Sequence, residues 1–141
     1  MTANRIQLSR RKGWRLPEGA VTVARPTMWG NPWKVGSPGG FWLREWPVHG
    51  SRIGVDLDAG DAVDIYRRLL TGGPDPSANL LPVTLNADGR KYIRDLLRAH
   101  AARIVAHIHD LRGRDLACWC KPGCPCHGDI LLDLATQEVP R

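Results

Sequence analysis

The chain has 141 residues and a mass of 15.6 kDa, room for one compact domain with its own core. At 43% apolar residues and a mean hydropathy of -0.30 it reads as a soluble globular protein. No apolar run nears the roughly 18 residues of a membrane span, and no collagen or coiled-coil period recurs.

The opening residues MTANRIQLSRRKGW lack the apolar core of a secretory signal, which predicts a cytoplasmic protein. Arg5–Ser9 alternates polar and apolar for a short strand, and RRKGWRLPEG after it reads as a basic loop. Ala20–Ala24 is a second, β-branched strand ending at Arg25-Pro26. Residues 26–50 are so dense in Pro, Gly and Trp that a structured loop without regular elements is expected. Asp58 or Asp61 then caps a helix in which Val63, Ile65, Tyr66, Leu69 and Leu70 share a face, and Gly72–Pro76 stops it.

Asn86 caps the longest helix, from Ala87 to about His109, with Ile93, Leu97, Ile104 and Ile108 in one stripe. Arg90, Arg94 and Arg98 form a basic face that reads first as a solvated one. His100, His107 and His109 read as helix-surface residues, and His49 falls in the loop. A turn at 111–114 leads into a strand over Asp115–Cys120, and the final helix runs from His127 to Ala135. The order predicts an α/β domain: a small mixed or parallel sheet flanked by helices, with the Trp/Pro/Gly-rich loop. It is one domain over 1–141, with a basic Trp-rich half (1–50) and a helical half (51–141).

Charge is unevenly placed. The formal net charge is +6, with 20 Lys+Arg against 14 Asp+Glu. Residues 1–46 hold eight bases and two acids, whereas the remaining chain carries twelve of each. Five of the six Trp (Trp14, Trp29, Trp33, Trp42 and Trp46) lie in the same stretch. Bases interleaved with flat aromatics suit phosphates and stacked bases, so a nucleotide or nucleic acid is the expected partner. The plainer reading is an Arg-rich surface over tryptophans that pack in the core.

All four Cys and one His lie within ten residues: Cys118, Cys120, Cys124, Cys126 and His127. In a basic, cytoplasmic chain this crowding argues for metal or thiol chemistry over disulfides. Cys118 and Cys120, two apart on a strand, present both thiols on one side. Cys126 and His127 stand at the mouth of the last helix, where free N–H groups favour thiolate. Three readings stand. A metal site takes Cys118, Cys120, Cys126 and His127, with Cys124 as substitute, and softness suits Zn²⁺ or an iron–sulfur cluster. A catalytic thiol takes Cys126 as nucleophile with His127 or Asp129 as partner. In the third reading the thiols only pack as small hydrophobes. Asp129 at the third helical position meets the helix dipole, or else orients His127 or serves as a base.

The segments RP-x-x-WGNP (Arg25, Pro26, Trp29, Gly30, Asn31, Pro32), CWC with a following Pro (Cys118, Trp119, Cys120, Pro122) and CHGD (Cys126, His127, Gly128, Asp129) are specific. With them the chain resembles the small bacterial and phage family known as domain of unknown function 4326. Cys124 departs from the family pattern, so the resemblance implies Cys118, Cys120, Cys126 and His127 as the set. The occurrence of members in phages, plasmids and their hosts implies a nucleotide or nucleic-acid context.

If the strands ending at Arg25 and Cys120 are parallel, both motifs emerge at the carboxyl edge of the sheet, where open α/β domains bind ligands. There Arg25 would hold an anion, Trp29 would stack on a base and Asn31 would read a polar edge. The alternative is that Trp29 and Pro32 pin the loop to the core. The expected function is a nucleotide- or nucleic-acid-handling domain, a hydrolase or transferase if it is an enzyme. The alternative function is a non-catalytic zinc-stapled module binding nucleic acid or protein.

Overall fold

The computed structural model describes residues 3–46, 51–72, 77–121 and 123–137. His49, the helix stop over 73–76 and Pro122 lie outside the described residues. The elements run β1 (Arg5–Gln7), β2 (Val21–Thr22), β3 (Trp33–Lys34), β4 (Gly40–Phe41), β5 (Ser51–Arg52), α1 (Ala59–Leu70), α2 (Ala87–His107), β6 (Leu116–Cys118) and α3 (His127–Thr136). The result is a compact mixed α/β fold with two small sheets.

The first sheet is parallel, in the order β1-β6-β2. Arg5 pairs with Leu116 and Gln7 with Cys118 on one side of β6, and Val21 pairs with Leu116 on the other. Leu116, Ala117 and Cys118 are all buried, as a central strand covered on both faces must be. The second sheet, β3-β4-β5, is antiparallel and arises where the sequence predicts an irregular loop. That expectation is corrected. Two-residue strands are too short for alternation to show, and their register is set by packing instead. Trp33 stands opposite Phe41, and the two rings meet edge to face at 5.8 Å.

Both candidate caps of α1 are used. The Asp58 carboxylate accepts the Asp61 N–H at 2.8 Å, and the Asp61 side chain accepts the Asp58 N–H at 3.3 Å. The helix buries Ala62, Tyr66 and Leu70 at four-residue spacing. In α2, capped by Asn86, Ile93, Leu97, Ala101 and Ile104 are buried. His100 is buried with them, at 5% exposure, so its expected surface position is corrected. Its spacing from Leu97 and Ile104 puts it inside the apolar stripe. His107 and His109 are exposed.

Two cores result. One lies between the parallel sheet, α1, α3 and the last turns of α2, around Val23, Tyr66, Ile104 and Leu116. The other joins the antiparallel sheet to the first half of α2, around Trp33, Phe41, Ile53 and Ile93. Leu69 packs on both. The WGNP segment runs between them and is pinned by buried hydrogen bonds. The Tyr66 hydroxyl donates to the Trp29 carbonyl at 2.7 Å. Burial pushes the Tyr66 pKa up, which keeps the phenol a neutral donor. Asn31 Nδ2 donates to the Ala62 carbonyl at 2.9 Å, and Asn31 Oδ1 accepts the Trp33 N–H at 3.1 Å. Gly30 must lack a side chain here, since a Cβ would lie 2.7 Å from Arg25 Cγ.

Asn31→Ala leaves a carbonyl and an N–H unpaired in the interior, so a loss of about 2–4 kcal/mol is expected in urea denaturation. His100 yields a second prediction. Burial lowers its pKa below the ordinary 6.5, opposed by Glu45 and assisted by Arg103. The unfolded chain therefore takes up this proton first, and stability held above pH 6.5 drains away as pH falls below it. His100→Leu should flatten that slope in melting curves taken between neutral and acidic pH.

Candidate metal centre and ligand pocket

Parallel pairing delivers the ends of β2 and β6 to the same edge, and α3 begins there. A cavity of about 420 Å³ opens at this edge, within the size range of small-molecule sites. Arg25, Asn31, Cys118, Cys120, Cys126 and His127 all line it. Ala24, Ala62 and Val63 supply apolar wall, and Lys34 and Trp119 contribute as well. The lining holds two fixed cations and no carboxylate.

The sulfurs of Cys118, Cys120 and Cys126 lie within 4.8 Å of one another and could hold a metal ion. Cys118 and Cys120 owe this to their two-residue spacing, which leaves their sulfurs 3.8 Å apart. Cys126 arrives from the other direction, as the N-cap of α3, its sulfur accepting the Gly128 N–H at 3.4 Å. All four cysteines are free thiols, and Cys124 is exposed and outside the cluster.

The three thiols titrate as one set. Hydrogen bonds from Cys120 and Cys126 hold Cys118 well below the usual thiol range. The same contacts, with Cys118 foremost, push Cys120 up. Contact with Cys118 raises Cys126, but hydrogen bonds from Cys120 and His127 outweigh it and bring Cys126 down. Cys118 and Cys126 are thus drawn toward the thiolate form and Cys120 toward the thiol. A soft cation binding all three would displace the Cys120 proton too.

His127 belongs to the wall but not to the sulfur cluster. Its Nε2 lies 2.6 Å from the Val23 carbonyl, which can only accept, so Nε2 carries the proton. Its Nδ1 lies 3.8 Å from Cys126 Sγ, yet it is not among the donors that converge. Of the four donors expected from the sequence the structure converges the three sulfurs, while the imidazole, held by the Val23 carbonyl and set edge-on to the Tyr66 ring at 5.5 Å, keeps Nδ1 beside Cys126 alone. Asp129 does not orient it. That carboxylate is half exposed and pairs with Arg5 at 3.5 Å.

Arg5 is the residue that sequence reasoning missed. A charged side chain in an edge strand reads as solvated, but here it is 10% exposed. Its Nη2 donates to the Lys121 carbonyl at 3.0 Å, which ties β1 to the loop between Cys120 and Cys126. Burial opposes its charge, but contact with Cys126 and the charges of Cys126, Asp129 and Cys120 outweigh that and raise its pKa. Arg25 sits on the cavity side. It is accessible to solvent and donates to the Asn31 carbonyl at 3.3 Å. Partial desolvation lowers its pKa, opposed by Cys118 and Cys120.

Two expected ligand contacts change. Trp29 is buried in the core at 8% exposure and does not line the cavity, so it is a packing residue and the loop-pinning alternative describes it. Asn31 reaches the cavity, but both ends of its amide hold the loop backbone. Two tryptophans line the cavity: Trp33, buried in the second core, and Trp119, 46% exposed, which the sequence placed between the two thiols and gave no role.

The model of the family described as Domain of unknown function (DUF4326) matches residues 6–137. The chain belongs to this family. No curated protein and no solved structure matches it. The DUF4326 match spans every cavity residue named above, while Arg5 stands just outside it. Among the described residues of this DUF4326 member, no helix is long and apolar enough to cross a membrane.

Three sulfurs without the imidazole give a sharp expectation for metal content after zinc loading. Cys118→Ser, Cys120→Ser and Cys126→Ser should each lose the ion. His127→Ala and Cys124→Ser should keep it, with only the former losing stability, by about 1–3 kcal/mol, through the orphaned Val23 carbonyl.

Proposed function

We propose that this protein is a metal-dependent hydrolase whose cavity at the carboxyl edge of the parallel sheet takes a nucleotide or nucleobase ligand. The observation that carries the reading is the convergence of three sulfurs on the wall of a cavity that Arg25 also lines. The sulfur spacing supports a single ion over a cluster. Two thiolates about 2.3 Å from one tetrahedral zinc lie about 3.8 Å apart, and Cys118 and Cys120 are 3.8 Å apart. An iron–sulfur cluster would spread the cysteines over different irons and hold them further from one another. A three-sulfur set leaves a tetrahedral ion one position for solvent or substrate, as catalytic sites do and structural staples do not. Zinc held there supplies Lewis acidity.

The chain's own groups supply the rest. Arg25 is placed to hold an anionic group of the ligand, with Lys34 as a second cation on the lining. Ala24, Ala62 and Val63 exclude water around it. Arg5, behind the thiols, offsets their negative charge from the protein side. His127, held in orientation by the Val23 carbonyl, sets its Nδ1 3.8 Å from Cys126 Sγ. Against a nucleophilic role for Cys126 stands its place in the sulfur cluster, 1% exposed and accepting the Gly128 N–H.

The test begins with metal analysis of protein purified without chelator, which should show about one zinc per chain. Nucleoside monophosphates titrated into this protein should bind, and hydrolysis should appear across a panel of nucleotides and nucleosides. Arg25→Ala should weaken binding about ten- to a hundredfold, the loss of a charge-assisted hydrogen bond, with metal content unchanged. Metal-free protein, or equal affinity in the variant, would overturn the reading. A full metal load with salt-sensitive nucleic-acid binding and no turnover would favour the zinc-stapled binding module.

A further inference from the structure

The cavity explains one anion. Its surroundings hold more positive charge than one anion can use. Parallel pairing also brings the end of β1 to this edge, with the Leu8 N–H donating to the Cys118 carbonyl at 2.8 Å. Gln7 Nε2 donates to the Trp119 carbonyl at 3.4 Å, and the Arg10 guanidinium lies 4.9 Å from the centre of the Trp119 ring. The chain then turns tightly, with the Trp14 N–H on the Arg11 carbonyl and the Arg11 N–H on the Ser9 hydroxyl. Arg10 thus stands against a ring that lines the cavity, Arg11 and Lys12 follow it in the turn, all three are exposed, and Lys121 follows Cys120 at the sheet edge. Two of the carboxylates sit at the other end. Glu18 and Asp115 line a separate cavity at the amino edge of the sheet, and Asp129 is engaged by Arg5.

Trp119 gives this charge a direction. A large apolar ring on a strand end normally packs away, yet this one is 46% exposed, lines the cavity and is held by a cation against it. Such a ring suits stacking with a base whose face is free. In a duplex the base faces are covered and only the edges are offered.

Resting on the reading of the cavity as a nucleotide site, we infer that its ligand is a unit of a single-stranded nucleic acid. One base stacks on Trp119, one phosphate reaches Arg25, and the flanking phosphates run over Arg10, Arg11 and Lys12. A free nucleotide would leave that outer row of cations unused.

The experiment compares a fluorescein-labelled oligothymidylate of about ten nucleotides with thymidine 5′-monophosphate, using the whole chain purified with its metal. The strand should bind at least about tenfold tighter at low salt, and its affinity should fall steeply with salt, by about 0.7 in the log–log slope per phosphate neutralised. Trp119→Ala should weaken strand binding about five- to a hundredfold, with partial recovery in Trp119→Phe. Exchanging Arg10, Arg11 and Lys12 for Gln should flatten the salt slope by about two units while monophosphate affinity holds. A strand that binds no tighter than the monophosphate overturns the inference and leaves the nucleotide cavity standing. Strand binding that ignores Trp119, or that a duplex matches, overturns it as well. Absence of binding by both probes overturns this inference together with the proposed function.

Discussion

Pairing β6 in parallel with β1 on one side and β2 on the other brings three chain segments out at one edge of one small sheet. Everything of chemical interest follows from that geometry. β1 delivers the basic turn, β2 delivers Arg25 and the WGNP loop, and β6 delivers the CWC thiols. Parallel strands need long connections, and here those connections are α1, α2 and the antiparallel sheet, which form the walls around the site. The strands are only two or three residues long, so the ladder alone is weak and the helices hold the arrangement by packing on both faces of Leu116–Cys118.

The site concentrates charge in a place that disfavours it. Cys118 and Cys126 are buried and drawn toward the thiolate form, and burial alone would push them the other way. The opposing terms are all local: sulfur–sulfur hydrogen bonds, the first N–H groups of α3, and two arginines on either side of the cluster. His127 joins this balance indirectly. Its bond to the Val23 carbonyl anchors the start of α3 on β2, so the ring that looks like a ligand positions the residue before it, Cys126.

Local chemistry was readable in advance where neighbours in sequence decide it. Asp58 and Asp61 cap α1 and Asn86 caps α2, because a cap needs only the next three residues. The CWC cysteines were expected on one strand, but the strand ends at Cys118 and the chain bends before Cys120, whereas the CHGD cysteine stands at the mouth of α3 as expected. What failed were assignments that depend on the far side of a contact. His100 lies in the apolar stripe, yet a ring that titrates near neutral pH reads as exposed until the stripe is seen covered. The placing of Trp29 and Trp119 was hidden for the same reason: both are tryptophans in motif segments, and only packing tells which one turns inward.

By itself the sequence determined the α/β class, the helices with their caps, the family and the two motif segments that meet at the site. Periodicity, capping and residue spacing act over a few residues and leave their marks in the chain. The tertiary structure decided that three sulfurs converge closely enough that they could hold a metal ion, that Arg5 backs them, and that Trp119 lines the cavity. Those facts turn on donor distances across strands more than a hundred residues apart. A 2.6 Å bond from His127 to Val23 fixes the orientation of the imidazole, and no local pattern in either segment encodes it.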